Sequence, residues 1–159
     1  MEINITKKEY KSLLDIFSIG DWILNAHKVG NDPETEEYRK LEQKFYSYAE
    51  DMGYGNLVTY DTELKRFFPT KEFEETSKYR DFIGEFENDT FWDELLHRLV
   101  ERDLIKQEGG VKNVMNMDIR ERLEKEKPLE KMYATEFEAN GLDNIRIWHR
   151  NITSTNKNV

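Results

Sequence analysis

Lys11–Lys28, KSLLDIFSIGDWILNAHK, is the stretch on which the fold turns. At about 100° per residue, Tyr10, Leu13, Leu14, Phe17 and Leu24 fall on one side of a helix. Ile16, Ile19, Ile23 and Ala26 carry the apolar surface round the back, and Trp22 nearly closes it. Only a narrow sector with Lys11, Asp15 and Ser18 stays polar. A helix apolar almost all round is expected to be buried, with other elements on several sides. Its length would suit a membrane span, but Lys11, Asp15, Asp21 and Lys28 interrupt it, and such charges are costly in lipid. The expectation is the central helix of a soluble bundle.

Three polar residues break the apolar face. Asp21 falls at the centre of the arc made by Tyr10, Leu14, Phe17 and Leu24, with Asn25 one turn on and Lys28 beyond it on the same side. A carboxylate in an apolar arc must be paired, hydrogen-bonded or shifted in pKa. Asp21, Asn25 and Lys28 are therefore the candidate binding cluster. Two roles are weighed, a functional site or a satisfied polar group that fixes how neighbouring helices dock, and the structural one is expected. An Asp21 that opens into a pocket belongs to the first, and one paired in a closed core to the second.

The chain has 159 residues, enough for one domain burying about 70% of its unfolded surface. Hydrophobic residues make up 37% and charged ones 36%, a balance that leans towards disorder, but 13% aromatic content leans back. A net charge of -9 disfavours nonspecific binding to nucleic acid or anionic membranes, which needs surplus Lys and Arg. There is no Cys, so disulfides, thiolate metal sites and a cysteine nucleophile are excluded. MEINITKKEY lacks an apolar signal core, so a cytoplasmic location is expected, and the glycosylation pattern at Asn151-Ile152-Thr153 is read as chance.

Along the chain, Thr6 with Glu9 forms a capping box for the first helix, which runs to about Lys28. After the Gly30-Asn31-Asp32-Pro33 turn, a second helix is expected over 33–52, with Asp32 as N-cap and an inner stripe of Tyr38, Leu41, Phe45, Tyr48 and Met52. An extended piece is expected at Leu57–Tyr60, a third helix over 72–87, and a fourth over 90–102 after a break at Asn88-Asp89. Leu104-Ile105 and Val111–Met115 pattern as a small hairpin closed by Gly109-Gly110. A fifth helix opens at Asp118 with Glu121, should kink or split at Pro128, and stops at Asn140-Gly141. Its expected inner face is Leu123, Tyr133, Ala134 and Phe137, and a short closing strand is expected at Ile145, Ile147 and Trp148.

Common catalytic motifs are absent: no GxxxxGK[ST], GxGxxG, HExxH, GxSxG or EF-hand loop occurs. Asp93, Glu94 and His97 have metal-like spacing, but a di-iron site needs a second Glu-x-x-His and two more glutamates. By angle they lie away from Trp92, Leu95 and Leu99, as an exposed face does. His27 suits a helix C-terminus, and His149 sits in the tail. The succession of helix, Asn-Asp turn, helix and Gly-Gly hairpin, with LVERDLIKQEGG running into it, resembles a winged helix-turn-helix. That resemblance implies nucleic-acid binding, yet Glu87, Asp89, Asp93 and Glu94 would repel phosphates at the recognition helix.

The expected fold is thus mainly α: a single-domain bundle (1–150) of about five helices around a buried first helix, with a minor β-hairpin or short strands and a flexible polar tail at 151–159. The expected function is a noncatalytic interaction or regulatory module, with a protein partner or a second copy and no cofactor. The alternatives are a small enzyme with a carboxylate-centred, metal-dependent or metal-free site, and the disfavoured nucleic-acid binder.

Overall fold

A computed structural model of the chain describes residues 3–30 and 32–146. Among them, six α-helices and one two-stranded antiparallel sheet carry the fold, which is mainly α with a minor hairpin. None of these helices is long and apolar enough to cross a membrane. The residues group into two compact units, Met1–Asp89 and Thr90–Val159.

In the N-terminal unit, α1 (Lys7–Asn25) begins with the expected reciprocal box: the Glu9 amide donates to Thr6 Oγ1 at 3.3 Å, and the Thr6 amide to Glu9 Oε2 at 2.8 Å. Of its apolar surface, Tyr10 and Leu14 are buried, whereas Ile16, Trp22 and Ile23 face outward. The helix lies along one side of the core and is not enclosed by it. The hydrophobic arc of the sequence is wider than the side that its neighbours cover.

α2 (Glu36–Tyr46) continues into tight turns, with Ala49 N–H bonded to Tyr46 O at 3.1 Å, and stops at Gly53. Gly53 adopts φ 79°, and the bonds Gly53 N–H to Glu50 O and Tyr54 N–H to Ala49 O form a Schellman end. The helix sits rotated from its expected stripe. Tyr38, Leu41 and Tyr48 are exposed, while Thr35, Tyr46 and Ala49 are buried. Polar residues between the buried ones, Arg39, Glu42 and Gln43, are thereby turned inward.

The hairpin is β1 (Val58–Asp61) against β2 (Arg66–Pro69), in register Tyr60 with Phe67. Asp61 Oδ1 accepts from the Glu63 and Leu64 amides at 2.8 Å and makes the turn. On the far edge of β2, Gln43 takes both backbone groups of Phe67, donating to its oxygen at 2.9 Å and accepting from its amide at 2.7 Å. One side chain stands in for a third strand and ties the hairpin to α2. α3 (Lys71–Thr76), capped by Thr70, then drops Phe73 into the core. That core joins Tyr10, Leu14, Tyr46, Leu57, Phe73 and Tyr79.

α4 (Tyr79–Gln107) is one helix of 29 residues where two were expected. Asn88 and Asp89 have weak helix propensity, but neither blocks the backbone as Pro would, and the helix runs on through Glu94, Leu95 and Leu96, which are strong helix formers. The expected Gly-Gly hairpin is absent as well. Gly109, at φ 74°, ends α4 in a second Schellman arrangement, with Gly110 N–H on Ile105 O at 2.9 Å, and α5 (Val111–Met115) follows. Without the turn and the wing, the elements behind the winged-helix resemblance are gone.

α6 (Ile119–Asn140) passes through Pro128 without splitting; Pro128 is exposed, where a missing backbone bond is easily solvated. Asp118 occupies the N-cap without a side-chain cap bond, and Gly141 stops the helix at φ 55° as expected. The second core is Val100, Leu104, Val114 and Leu129, with Tyr133 packed against it. Leu123 and Ala134, expected inside, are exposed. Asp103 binds Arg102 at 2.8 Å and accepts the Tyr133 hydroxyl, which hold its carboxyl well below the usual range. Ile145 and Arg146 are not in a strand; Ile147, Trp148 and the tail from 151 lie outside the described residues.

Candidate functional site

The inward turn of the polar side of α2 opens a cleft of about 760 Å³ in the N-terminal unit. One wall is α1, with Ser18, Asp21, Trp22 and Asn25; the next is α2, with Arg39, Glu42, Gln43 and Tyr46. β2 adds Arg66 to Pro69, and the start of α4 adds Tyr79, Arg80, Ile83 and Glu87. The spacings explain the convergence: Ser18, Asp21 and Asn25 share one face of α1, and Arg39, Glu42 and Tyr46 share one face of α2.

The structure divides the expected trio. Asn25 Nδ2 donates to Asp21 Oδ1 at 2.7 Å, and Thr35 Oγ1 donates to Asn25 Oδ1 at 2.8 Å. Buried Thr35 thus orients Asn25, and Asn25 orients Asp21, with Asp21 exposed to the cleft. Lys28 turns away to Asp32, at 2.5 Å. Asp32 lies in the turn that leads to α2 and also accepts the Glu34 amide at 2.9 Å, so Lys28 closes that turn and lines no part of the cleft.

Two groups that the sequence reading passed over complete the centre. Burial pushes the Glu42 carboxyl up to about 7, and the charge of Asp21 adds to the rise; the Tyr46 and Gln43 side chains and then Arg39 oppose it and are outweighed. Tyr46 is 2% exposed, and its hydroxyl lies close to Glu42 and Ser18 without meeting either in regular hydrogen-bond geometry. It lies in the field of Glu42 and Asp21, beside Ser18, and burial raises its pKa steeply. The Ser18 hydroxyl is directed elsewhere, to Leu14 O at 3.1 Å. Around this centre the walls are braced by Arg80 on Glu74 at 2.8 Å and Trp22 Nε1 on Glu87 at 3.1 Å.

An orphaned buried hydroxyl costs about 1–3 kcal/mol. Tyr46→Phe is therefore expected to stabilise the chain by about 1 kcal/mol in urea unfolding. Tyr10→Phe should cost a similar amount, because the Tyr10 hydroxyl bonds Phe45 O at 2.6 Å. A loss on Tyr46→Phe equal to that on Tyr10→Phe would show that the Tyr46 hydroxyl is satisfied.

The remaining sequence candidates are placed apart. His97 Nδ1 bonds the Asp93 carbonyl at 2.8 Å and Glu94 bonds Arg98 at 2.9 Å, both on an exposed face of α4. Among the described residues, no group of three or more His, Asp or Glu is placed to hold a metal. His27 is exposed past the end of α1, and His149 lies outside the described residues. Comparison of the chain with protein-family models, curated proteins and solved structures gives no match.

Proposed function

We propose that this chain is a noncatalytic cytoplasmic interaction or regulatory module whose recognition surface is the cleft of the N-terminal unit. The observation that carries the reading is the convergence of Asp21, Glu42 and Tyr46 at the base of a cleft of about 760 Å³ with aromatic and arginine walls. A concave site with converging polar groups and a perturbed titration is a form that ligand sites take. The exposed apolar residues Ile16, Ile23, Tyr38 and Leu41 of α1 and α2 support a protein partner, or a second copy of the chain, beside it. A fragment screen read by amide NMR on the full chain tests this. Shifts are expected to converge on Trp22, Glu42, Tyr46 and Arg80. Hits confined to residues after Thr90, with the cleft silent, would overturn the reading.

One observation favours the enzyme alternative. A carboxyl that titrates at about 7 beside a second carboxylate can take and give a proton near neutral pH. Recovery of bound compounds unchanged supports recognition. Their conversion by the wild type, lost in Glu42→Gln, would make the cleft an active site.

A further inference from the structure

We infer that the cleft takes a small organic cation, a protonated amine with an apolar body, seated between Asp21 of α1 and Glu42 and Tyr46 of α2. This rests on the cleft being a recognition site and names its ligand class. Two carboxyl groups and a phenol converge there from two helices; the phenol is 2% exposed, lies beside Glu42, and has no partner in regular hydrogen-bond geometry among the described residues. An ammonium carries three N–H donors and no acceptor, so it matches that set. A divalent metal does not, because hard cations call for six or more oxygens in regular geometry, and no third carboxylate joins this pair in a metal-holding group. An anion would meet the Asp21 charge at this centre, while Arg39 and Arg80 on the walls are already engaged by Glu36 and Glu74. The Trp22 indole, half-exposed at the cleft and held by Glu87, offers a face to a cation or to the apolar body behind it. Ile83 and Phe67 line the same space.

The site is built to exchange one proton for the ligand. Burial and the Asp21 charge keep a proton on Glu42 near neutrality. Facing it are Asp21 from α1 and Arg39 and Tyr46 from its own helix; Arg66 of β2 and Arg80 and Glu87 of α4 line the same cleft. Arg80 is held by Glu74, and Arg39 by Glu36 at 3.5 Å. An ammonium placed between the carboxyl groups favours the ionised pair, so Glu42 releases its proton as the amine enters.

The test uses the full chain with phenethylammonium chloride as probe and 3-phenylpropionate as its anionic counterpart. Binding is read by amide NMR, and proton release by calorimetry in two buffers of different ionisation enthalpy. Phenethylammonium is expected to shift Trp22, Glu42 and Tyr46, to bind about tenfold more tightly at about pH 8 than at about pH 6, and to release one proton at the lower pH. Glu42→Gln is expected to weaken binding and abolish its pH dependence with the fold kept. Asp21→Asn is expected to weaken binding as well. Binding of 3-phenylpropionate in the cleft as tightly as the amine would overturn the cation assignment and leave the recognition site standing. So would amine binding indifferent to Glu42→Gln. Cleft residues silent to the amine at millimolar concentration would overturn the inference, while the fragment screen decides separately whether the cleft binds other chemistry.

Discussion

Phe73→Ala is expected to cost about 3–5 kcal/mol of unfolding free energy. Phe73 is fully buried and stacks on Tyr79 with ring centroids 5.4 Å apart. Above it, Lys11 Nζ lies 4.8 Å from the ring centroid while bonded to Asp15 at 2.9 Å and to Ser77 Oγ at 2.6 Å. Removing the ring leaves a cavity between α1, α3 and the start of α4, and it strips the cation of its aromatic face. Natural domains hold only about 5–15 kcal/mol in total, so the variant should unfold at much lower urea. Phe82→Ala on exposed α4 surface is the control, with an expected change within about 0.5 kcal/mol. A loss below about 1 kcal/mol for Phe73→Ala would contradict the core described here.

Glu42→Gln is expected to act in the opposite direction and only at high pH. The folded carboxyl titrates at about 7, above the 4.5 of a free glutamate. The folded state therefore holds more protons between those values, and stability falls as pH rises from about 4.5 through about 7. At about pH 8 the ionised carboxylate costs the fold up to about 3 kcal/mol, with about 1–3 kcal/mol recovered by the neutral amide. Near pH 4 both states are largely protonated and the gain should vanish. Urea unfolding of the two proteins at these two pH values checks the difference. An equal effect at both would mean that Glu42 ionises normally.

Local rules with backbone chemistry behind them could be read from the sequence. Thr6 and Glu9 form their box because both side chains reach amides that the first turn leaves open. Gly53 and Gly141 stop helices because each adopts a positive φ that residues with a Cβ resist. Asp21 and Asn25, one turn apart, do bond each other. Choices between competing turns were not legible. Gly109-Gly110 fits a hairpin turn and a helix end equally well, and only the packing of Leu104 and Val114 into one core selects the latter. The real hairpin is closed by Asp61 through Lys65, the latter at φ 52° without being glycine, which gives a weaker signal.

The centre of the site was hidden for a related reason. Of the hydrophobic stripe Tyr38, Leu41, Phe45, Tyr48 and Met52, Phe45 and Met52 pack against the core, but Tyr38, Leu41 and Tyr48 point outward. Tyr46 outweighs them by filling the core with Tyr10 and Ala49, and Glu42 is carried inward one turn before it. The usable signal was the row Thr35, Arg39, Glu42, Tyr46 and Ala49, spaced by three and four, with a large aromatic amid polar residues. Lys28 was misplaced because the Asp32 turn folds back on it, a contact that helical angles do not contain.

The most direct measurement is the titration of the Glu42 side-chain carboxyl by carbon NMR in the full chain, with Glu42→Gln to assign the resonance. A desolvated carboxyl beside Asp21 at the base of the cleft should titrate at about 7 and move lower in Asp21→Asn. A midpoint near 4.5, unchanged by Asp21→Asn, would mean that Glu42 faces water and that these two helices build no such site.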